Sequence, residues 1–322
     1  MDINTCWARR RSDGTVWCLT GGEGCQLYSW QLRNGDSRAS SVEALPQAHI
    51  SSIRAMSVSV PAQKYLLTAG GRGQICLWRM SSWGSKPSLV GWTRIRLPQE
   101  ASSSACDFRI MALFAHEIGP DQLQLYYATS HGEFAQMSVR DCVSSATFAK
   151  PELLIETNSC ILTMSALSLD NHFSFMLGDS RGQLHIHPQN LPQLQPGKSA
   201  LNALSAQQHS AHCFSVLCGS DDGSVRIATV RETSMYWESD LINHYAAIVD
   251  VALKDEIGIS LGADHRLSTI QIRGGEMSLL RTLVLNGIGD PHCLLLLEDQ
   301  VLVCGLGVQL VRLLSDAKNC SS

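Results

Sequence analysis

One turn keeps returning along this chain, and it limits the possible folds more than any other feature. A short apolar segment, a turn of small or acidic residues and an alternating segment follow one another seven times. Residues 16–20 lead through Gly21-Gly22-Glu23-Gly24 into 25–30, and residues 65–69 lead through Gly70-Gly71-Arg72-Gly73 into 74–78. The same order recurs at 125–139 around Ser130-His131-Gly132, at 173–187 around residues 178–182, and at 213–230 around residues 219–223. It returns at 257–272 around residues 262–265 and at 301–314 around Gly305-Leu306-Gly307. Counted at the last turn residue (Gly24, Gly73, Gly132, Gly182, Gly223, His265, Gly307), the spacings are 49, 59, 50, 41, 42 and 42.

A connection this short between antiparallel strands needs positive φ, which Gly supplies cheaply and Asp or Asn tolerates. Asp222-Gly223 is the clearest case. Ahead of most turns lies a further apolar run, at 53–60, 110–114, 161–167, 201–204, 248–253 and 293–297. These runs are apolar at nearly every residue, which predicts strands buried on both faces. No long segment carries a helical period. Seven small sheets in a radial array, a β-propeller, fit this pattern better than a sandwich or an ordinary barrel. Two long intervals have visible causes: residues 81–104 are rich in Ser, Gly and Pro and read as a loop insertion, and Gly119-Pro120-Asp121 adds a turn.

Hydrophobic residues make up 44% of the 322 and charged residues 17%, a globular profile. The longest purely aliphatic run, 294–297, is far too short to cross a bilayer. The first residues, Met1-Asp2-Ile3-Asn4, show no basic-then-apolar leader, and no membrane partner is expected. A net charge of −4 argues against wrapping nucleic acid unaided. Of the 12 cysteines, Cys18, Cys76, Cys218 and Cys304 lie in apolar runs. They read as reduced, buried thiols, which points to the cytosol or nucleus, and a cytoplasmic protein is expected.

The units resemble WD repeats, whose period is about 40–45 residues. His49 and His244 each open a unit, residues 219–224 form the tight turn, and Trp78 closes a strand. In a full repeat, a His, a Ser or Thr, an Asp and a Trp lock the blade by hydrogen bonds. No unit here holds all four. His49 and Trp78 share one unit, with Arg72 in the Asp position, while His244, Ser260 and Asp264 share another, with Ile270 in the Trp position. The structural repeat residues are therefore His49, Trp78, Asp222, Gly223, His244, Ser260 and Asp264.

A narrower resemblance rests on residues 48–55 (Ala-His-Ile-Ser-Ser-Ile-Arg-Ala), followed by Thr68-Ala69-Gly70-Gly71-Arg72. Phe108-Arg109-Ile110-Met111, residues 219–224, Asn243-His244 and the final Gly-rich unit come in matching order. Together they resemble the carboxy-terminal portion of the WD-repeat regulators of the tRNA methyltransferase that acts on the wobble ribose 2′-hydroxyl. The resemblance implies an all-β, seven-bladed WD-repeat β-propeller over residues 1–314, with a short polar tail at 315–322. It also implies a non-catalytic scaffold that binds the tRNA 2′-O-methyltransferase catalytic subunit and meets tRNA indirectly or weakly. The methyl donor would sit in the partner, so no cofactor is expected here.

A propeller often closes by lending a strand from one terminus to the blade of the other. Neither end offers a spare strand, so the ring is expected to be incompletely closed at the termini, with upstream sequence supplying the missing strand. No catalytic residues and no metal ligands are assigned. There is no Cys-x-x-Cys pair, and the His209, His212 and Cys213 group lacks a second half. Gly70-Gly71-Arg72-Gly73 is followed by a strand rather than the helix that a phosphate cradle needs. Arg9, Arg10 and Arg11 are candidate phosphate contacts or a solvated strand end. Trp83, Trp92 and Trp237 are candidate partner contacts or blade-edge packing. The alternative function is a general WD-repeat scaffold, such as a ubiquitin-ligase substrate receptor or trafficking adaptor. An enzymatic propeller would need convergent acids or a metal in its channel.

Overall fold

The computed structural model describes residues 2–33, 41–80, 86–95, 108–142, 145–169, 172–188, 198–210 and 213–313. Every regular element among them is a β-strand, and the strands form seven antiparallel sheets. Blade 1 is β1 (Ile3–Arg10), β2 (Val16–Gly22), β3 (Leu27–Leu32) and β4 (Ser41–Ala44). Blade 2 is β5 (Ile53–Val58), β6 (Tyr65–Gly70), β7 (Gln74–Arg79) and β8 (Ser88–Arg94). Blade 3 is β9 (Ile110–Gly119), β10 (Gln122–Thr129) and β11 (Glu133–Asp141), with its fourth strand split into β12 (Ala146–Phe148) and β13 (Glu152–Glu156). Blade 4 is β14 (Ile161–Leu169), β15 (His172–Asp179) and β16 (Leu184–His187). Blade 5 is β17 (Leu201–Ser210), β18 (Cys213–Ser220), β19 (Ser224–Arg231) and β20 (Ser234–Ile242). Blade 6 is β21 (Ile248–Lys254), β22 (Ile257–Gly262), β23 (Arg266–Arg273) and β24 (Glu276–Val284). Blade 7 is β25 (Cys293–Leu297), β26 (Gln300–Gly305) and β27 (Gly307–Arg312).

The first strands β1, β5, β9, β14, β17, β21 and β25 each touch the next, and β25 touches β1. That circuit is a closed seven-bladed propeller: the incomplete closure expected at the termini is not found, because β25 and β1 pack directly on each other. Continuous burial falls on the second strands, not on the first as the apolar runs suggested. β2, β6 and β26 are buried at every residue. β14 is only half-buried over most of its length. The reason is geometric: a first strand lines the axis, whereas a second strand is covered by the neighbouring blade on each face. The supposed loop insertion at 81–104 also contains a strand. Residues 88–94 are β8, paired along β7, while 81–85 and 96–104 lie outside the described residues. The tail at 315–322 lies outside them too.

One irregularity repeats through six blades. Just inside the start of the first strand, one residue is skipped in the ladder: Asn4, Arg54, Met111, Leu162, Asn202 and Val249. The residue before each bulge is Ile3, Ile53, Ile110, Ile161, Leu201 or Ile248, every one fully buried. A bulge bends its strand and re-aims a side chain. Asn4 Nδ2 accordingly donates to the Ile53 carbonyl of blade 2, and Asn202 Nδ2 to the Ile248 carbonyl of blade 6. Further down, Ser165, Ser205 and Asp250 each accept a backbone N–H from the next blade's first strand, at Ala206, Leu253 and Leu294. Between blades 2 and 3 the link is ionic. Arg79 makes a forked contact with the buried Asp141 carboxylate, which also accepts from the Tyr65 hydroxyl.

Blade 7 meets blade 1 without a shared strand. Among the described residues β27 carries no fourth strand, and β1 is the innermost strand of its own blade. The two blades close on each other through Ile3, Ala8, Val16 and Cys18 on one side and Cys293, Leu297, Leu302 and Cys304 on the other. Arg10 adds contacts to Asp299 at 3.1 Å and to Gln300 at 2.6 Å.

Close approach makes Gly70 irreplaceable. A Cβ there would stand 1.9 Å from the Ser52 carbonyl oxygen, whereas one at Gly24 would meet nothing within 4 Å. Gly70→Ala is expected to cost about 1–3 kcal/mol, the range for overpacking a core site. Gly24→Ala is expected to cost almost nothing. Urea unfolding of the two variants checks this, and equal midpoints would contradict the packing described.

Candidate functional site

Each first strand begins, and each second-to-third turn lies, on one face of the ring, here called the upper face. The repeat locks are built just beneath it. In blade 2, His49 Nε2 lies 2.7 Å from Thr68 Oγ1, and Trp78 Nε1 donates to the same oxygen at 2.9 Å. Thr68 thus joins the two residues that the sequence had singled out. In blade 6, His244 places Nε2 2.8 Å from Ser260 Oγ and Nδ1 2.9 Å from Asp264 Oδ1. Asp222 caps its turn by accepting from Ser224 N, and Gly223 holds a φ of 80°.

Two locks escaped the sequence reading. In blade 1, Trp30 Nε1 donates to Thr20 Oγ1 at 2.7 Å. The signal was present, because Trp30 follows Thr20 by ten residues, as Trp78 follows Thr68. In blade 4, Asp179 accepts from Ser159 and from the backbone of Arg181 and Gln183, and meets His185 Nε2 at 3.0 Å. Burial opposes ionisation of Asp179, yet these bonds outweigh it and hold the carboxyl below its usual range. Here the His follows the turn instead of opening the unit, which hid the pattern.

Ser260, His244 and Asp264 have the order of a hydrolytic Ser–His–Asp relay. Ser260 is fully buried, however, and its oxygen also accepts from Asn243 Nδ2. A substrate carbonyl has no way to reach it, so the relay acts as a lock.

The other candidates scatter. Arg9, Arg10 and Arg11 lie at the lower end of β1 and the turn after it, around a cavity of about 370 Å³ shared with Trp17. Arg9 donates to Gln63, and Arg10 is engaged in the seam between blades 7 and 1. Trp92 stands on the outer strand β8 and is 60% exposed. Trp237 on β20 is half-buried against the core of blades 4 and 5. Trp83 lies outside the described residues, as does His212, while His209 Nε2 lies 2.8 Å from Ser215 Oγ. The upper face carries a different set. Ile50 and Tyr245, each following a lock histidine, are 53% and 83% exposed. Arg266 lies over the Tyr245 ring at 4.4 Å, Arg226 pairs with Asp222, Arg54 pairs with Glu23, and Arg72 is exposed at the tip of its turn.

The sequence also concealed a thiol cluster. Cys6, Cys293 and Cys304 bring their Sγ atoms within 4.8 Å of one another. The Cys6 thiol is held well below its ordinary value by hydrogen bonds from Cys293 and Cys304. Spacing could not reveal this, because the residues come from opposite ends of the chain. A groove of about 700 Å³, lined by Leu267, Leu280, Leu283, Val311 and Leu313, runs between the outer strands of blade 6 and β27.

No protein-family model and no curated protein matches the chain. Solved structures do. It is similar to the WD40 repeats of RRP9, with a TM-score of 0.67 and 16% identity over 97% of this chain and 94% of that one. It is similar to the β-propeller domain of Cps50 (Swd1) from Myceliophteria thermophila, with a TM-score of 0.67 and 15% identity over 97% and 98%. The WD40 propeller domain of Doa1 matches with a TM-score of 0.67 and 11% identity over 98% and 93%. At these identities the likeness establishes the fold: the chain is a WD40-type β-propeller.

Burial lowers the His49 pKa to about 4. Between about pH 6.5 and that value, the unfolded chain binds the proton and the folded chain does not. Stability therefore falls as pH drops through this window, by about 3 kcal/mol in all. Asp250 works the other way, because burial pushes its carboxyl up to about 7. Its folded form takes up a proton first, so its contribution grows as pH falls below that value. His49→Gln isolates the first effect. The wild type is expected to lose more thermal stability than His49→Gln between about pH 7 and pH 5. Equal losses would contradict the buried neutral histidine.

Proposed function

We propose that this chain is a non-catalytic scaffold that binds the catalytic subunit of a tRNA 2′-O-methyltransferase and supports methylation of the wobble nucleotide. One observation carries the reading. The two sequence segments that resemble the regulator family, 48–55 and 68–72, come together as a single feature of blade 2. The first leads into β5, the second ends at the β6–β7 turn, and the His49–Thr68 contact joins them. This feature presents Ile50 and Arg72 on the upper face.

The physical contribution is positioning. Loops anchored on a stiff ring hold their side chains in fixed relation, which suits a surface that must keep two large partners in register. Fixing two reactants relative to each other removes much of the entropic cost of their encounter. The exposed arginine and aliphatic groups of the upper face offer a charged rim around apolar contacts. The methyl donor belongs to the catalytic partner, and the lock residues beneath the face take no part in the chemistry.

Loss of the gene is expected to abolish 2′-O-methylation at the tRNA wobble position, read by mass spectrometry of purified tRNA. Undiminished methylation would remove this reading in favour of a general WD-repeat scaffold. Arg72→Glu is expected to weaken co-purification of the methyltransferase about tenfold while leaving the unfolding curve unchanged.

A further inference from the structure

The seam between blades 7 and 1 differs from the other junctions. None of the backbone-accepting side chains that link blades 4 to 5, 5 to 6 and 6 to 7 has a counterpart there among the described residues, and no bulge opens β25 as one opens the first strands of the other blades. At its upper end His292 meets Asp2 at 3.2 Å, and at its lower end Arg10 meets Asp299 at 3.1 Å. Between these ends lies the thiol cluster.

We propose that Cys6, Cys293 and Cys304 bind one soft d10 cation, Cu(I) or Zn(II), which ties the last blade to the first. A metal–sulfur distance of about 2.3 Å places coordinated thiolates roughly 4 Å apart. The three Sγ atoms, all within 4.8 Å of one another, need only small rotamer shifts to reach that spacing. Their backbones are already fixed. Cys293 and Cys304 face each other across the β25–β26 ladder, and Cys6 is held opposite Thr20 on the β1–β2 ladder. Placement on strands gives more precise ligand geometry than placement on loops.

Sulfur ligands alone select thiophilic ions over Mg²⁺ or Ca²⁺. On binding, whichever of the three thiols are still protonated release their protons to solvent, and no electron is transferred. Three sulfurs satisfy Cu(I), whereas structural Zn(II) takes four ligands. Cys18 lies outside this three-thiol group but diagonal to Cys6 across the β1–β2 ladder and in the same cluster, so it is the thiol that would have to move in as the fourth sulfur in the Zn(II) case. Cys293 and Cys304 are buried and Cys6 is half-buried.

The test uses the full chain, reduced and stripped with a chelator, then titrated separately with Cu(I) and Zn(II). Native mass spectrometry and thiolate-to-metal absorption read the result. One ion per chain is expected, with a raised melting temperature. Cys6→Ser is expected to weaken binding at least tenfold. Cys76→Ser, at a buried thiol of blade 2, is expected to leave binding unchanged. Cys18→Ser is expected to weaken Zn(II) alone if Zn(II) is the ion and to change nothing if Cu(I) is. Folding of each variant is verified by its far-ultraviolet spectrum. The proposal is overturned if the folded, reduced wild type takes up neither ion, if Cys6→Ser binds as tightly as the wild type, or if the chain is isolated with Cys6 in a disulfide.

Discussion

Closure of the ring is the constraint on which everything else depends. Each blade buries its second strand only because a neighbour covers each face, so no blade is stable without both neighbours. Six junctions are reinforced by a regular device: a bulge near the start of the first strand of blades 1 to 6 bends the strand where it packs on the next blade. At blades 1 and 5 the bulged residue is an asparagine that reaches the next blade's carbonyl. The seventh junction has only side-chain packing and the few polar contacts of Asp2, Arg10 and their partners. A residue in that seam therefore bears on the whole ring rather than on one blade.

The polar locks follow from the same demand. A buried His, Ser, Thr or Asp is costly unless its partners are in place. His244 uses both ring nitrogens, one on Ser260 and one on Asp264. Thr68 serves both His49 and Trp78. These groups hold the turns and the entries to the first strands in a fixed relation. Rigidity beneath the upper face is what makes that face usable as a binding surface, with Ile50, Arg72, Tyr245 and Arg266 set on a frame that does not yield.

The sequence revealed what depends on neighbours along the chain. The turn at Asp222-Gly223 was legible because positive φ there demands Gly, and the second strands were legible as short apolar runs ahead of such turns, though not their fuller burial. The interior of residues 81–104 was not. β8 carries Ser, Gly and Thr on an outer strand that is half solvated, so it lacks the apolar signature of a strand. The lock of blade 4 was missed because Asp179 draws its histidine from the strand after the turn. The thiol cluster could not be read at all. Cys6 meets Cys293 and Cys304 only when a ring of seven blades brings the first strand back to the last sheet, and no local pattern encodes that meeting.

The most direct measurement is therefore made at the seam. Metal-stripped protein, folded and treated briefly with a thiol oxidant, is digested and its disulfide-linked peptides are mapped. A closed ring predicts the Cys6 peptide joined to that of Cys293 or Cys304. Cys6 joined only to a thiol elsewhere in the chain would show that the first and last blades do not meet.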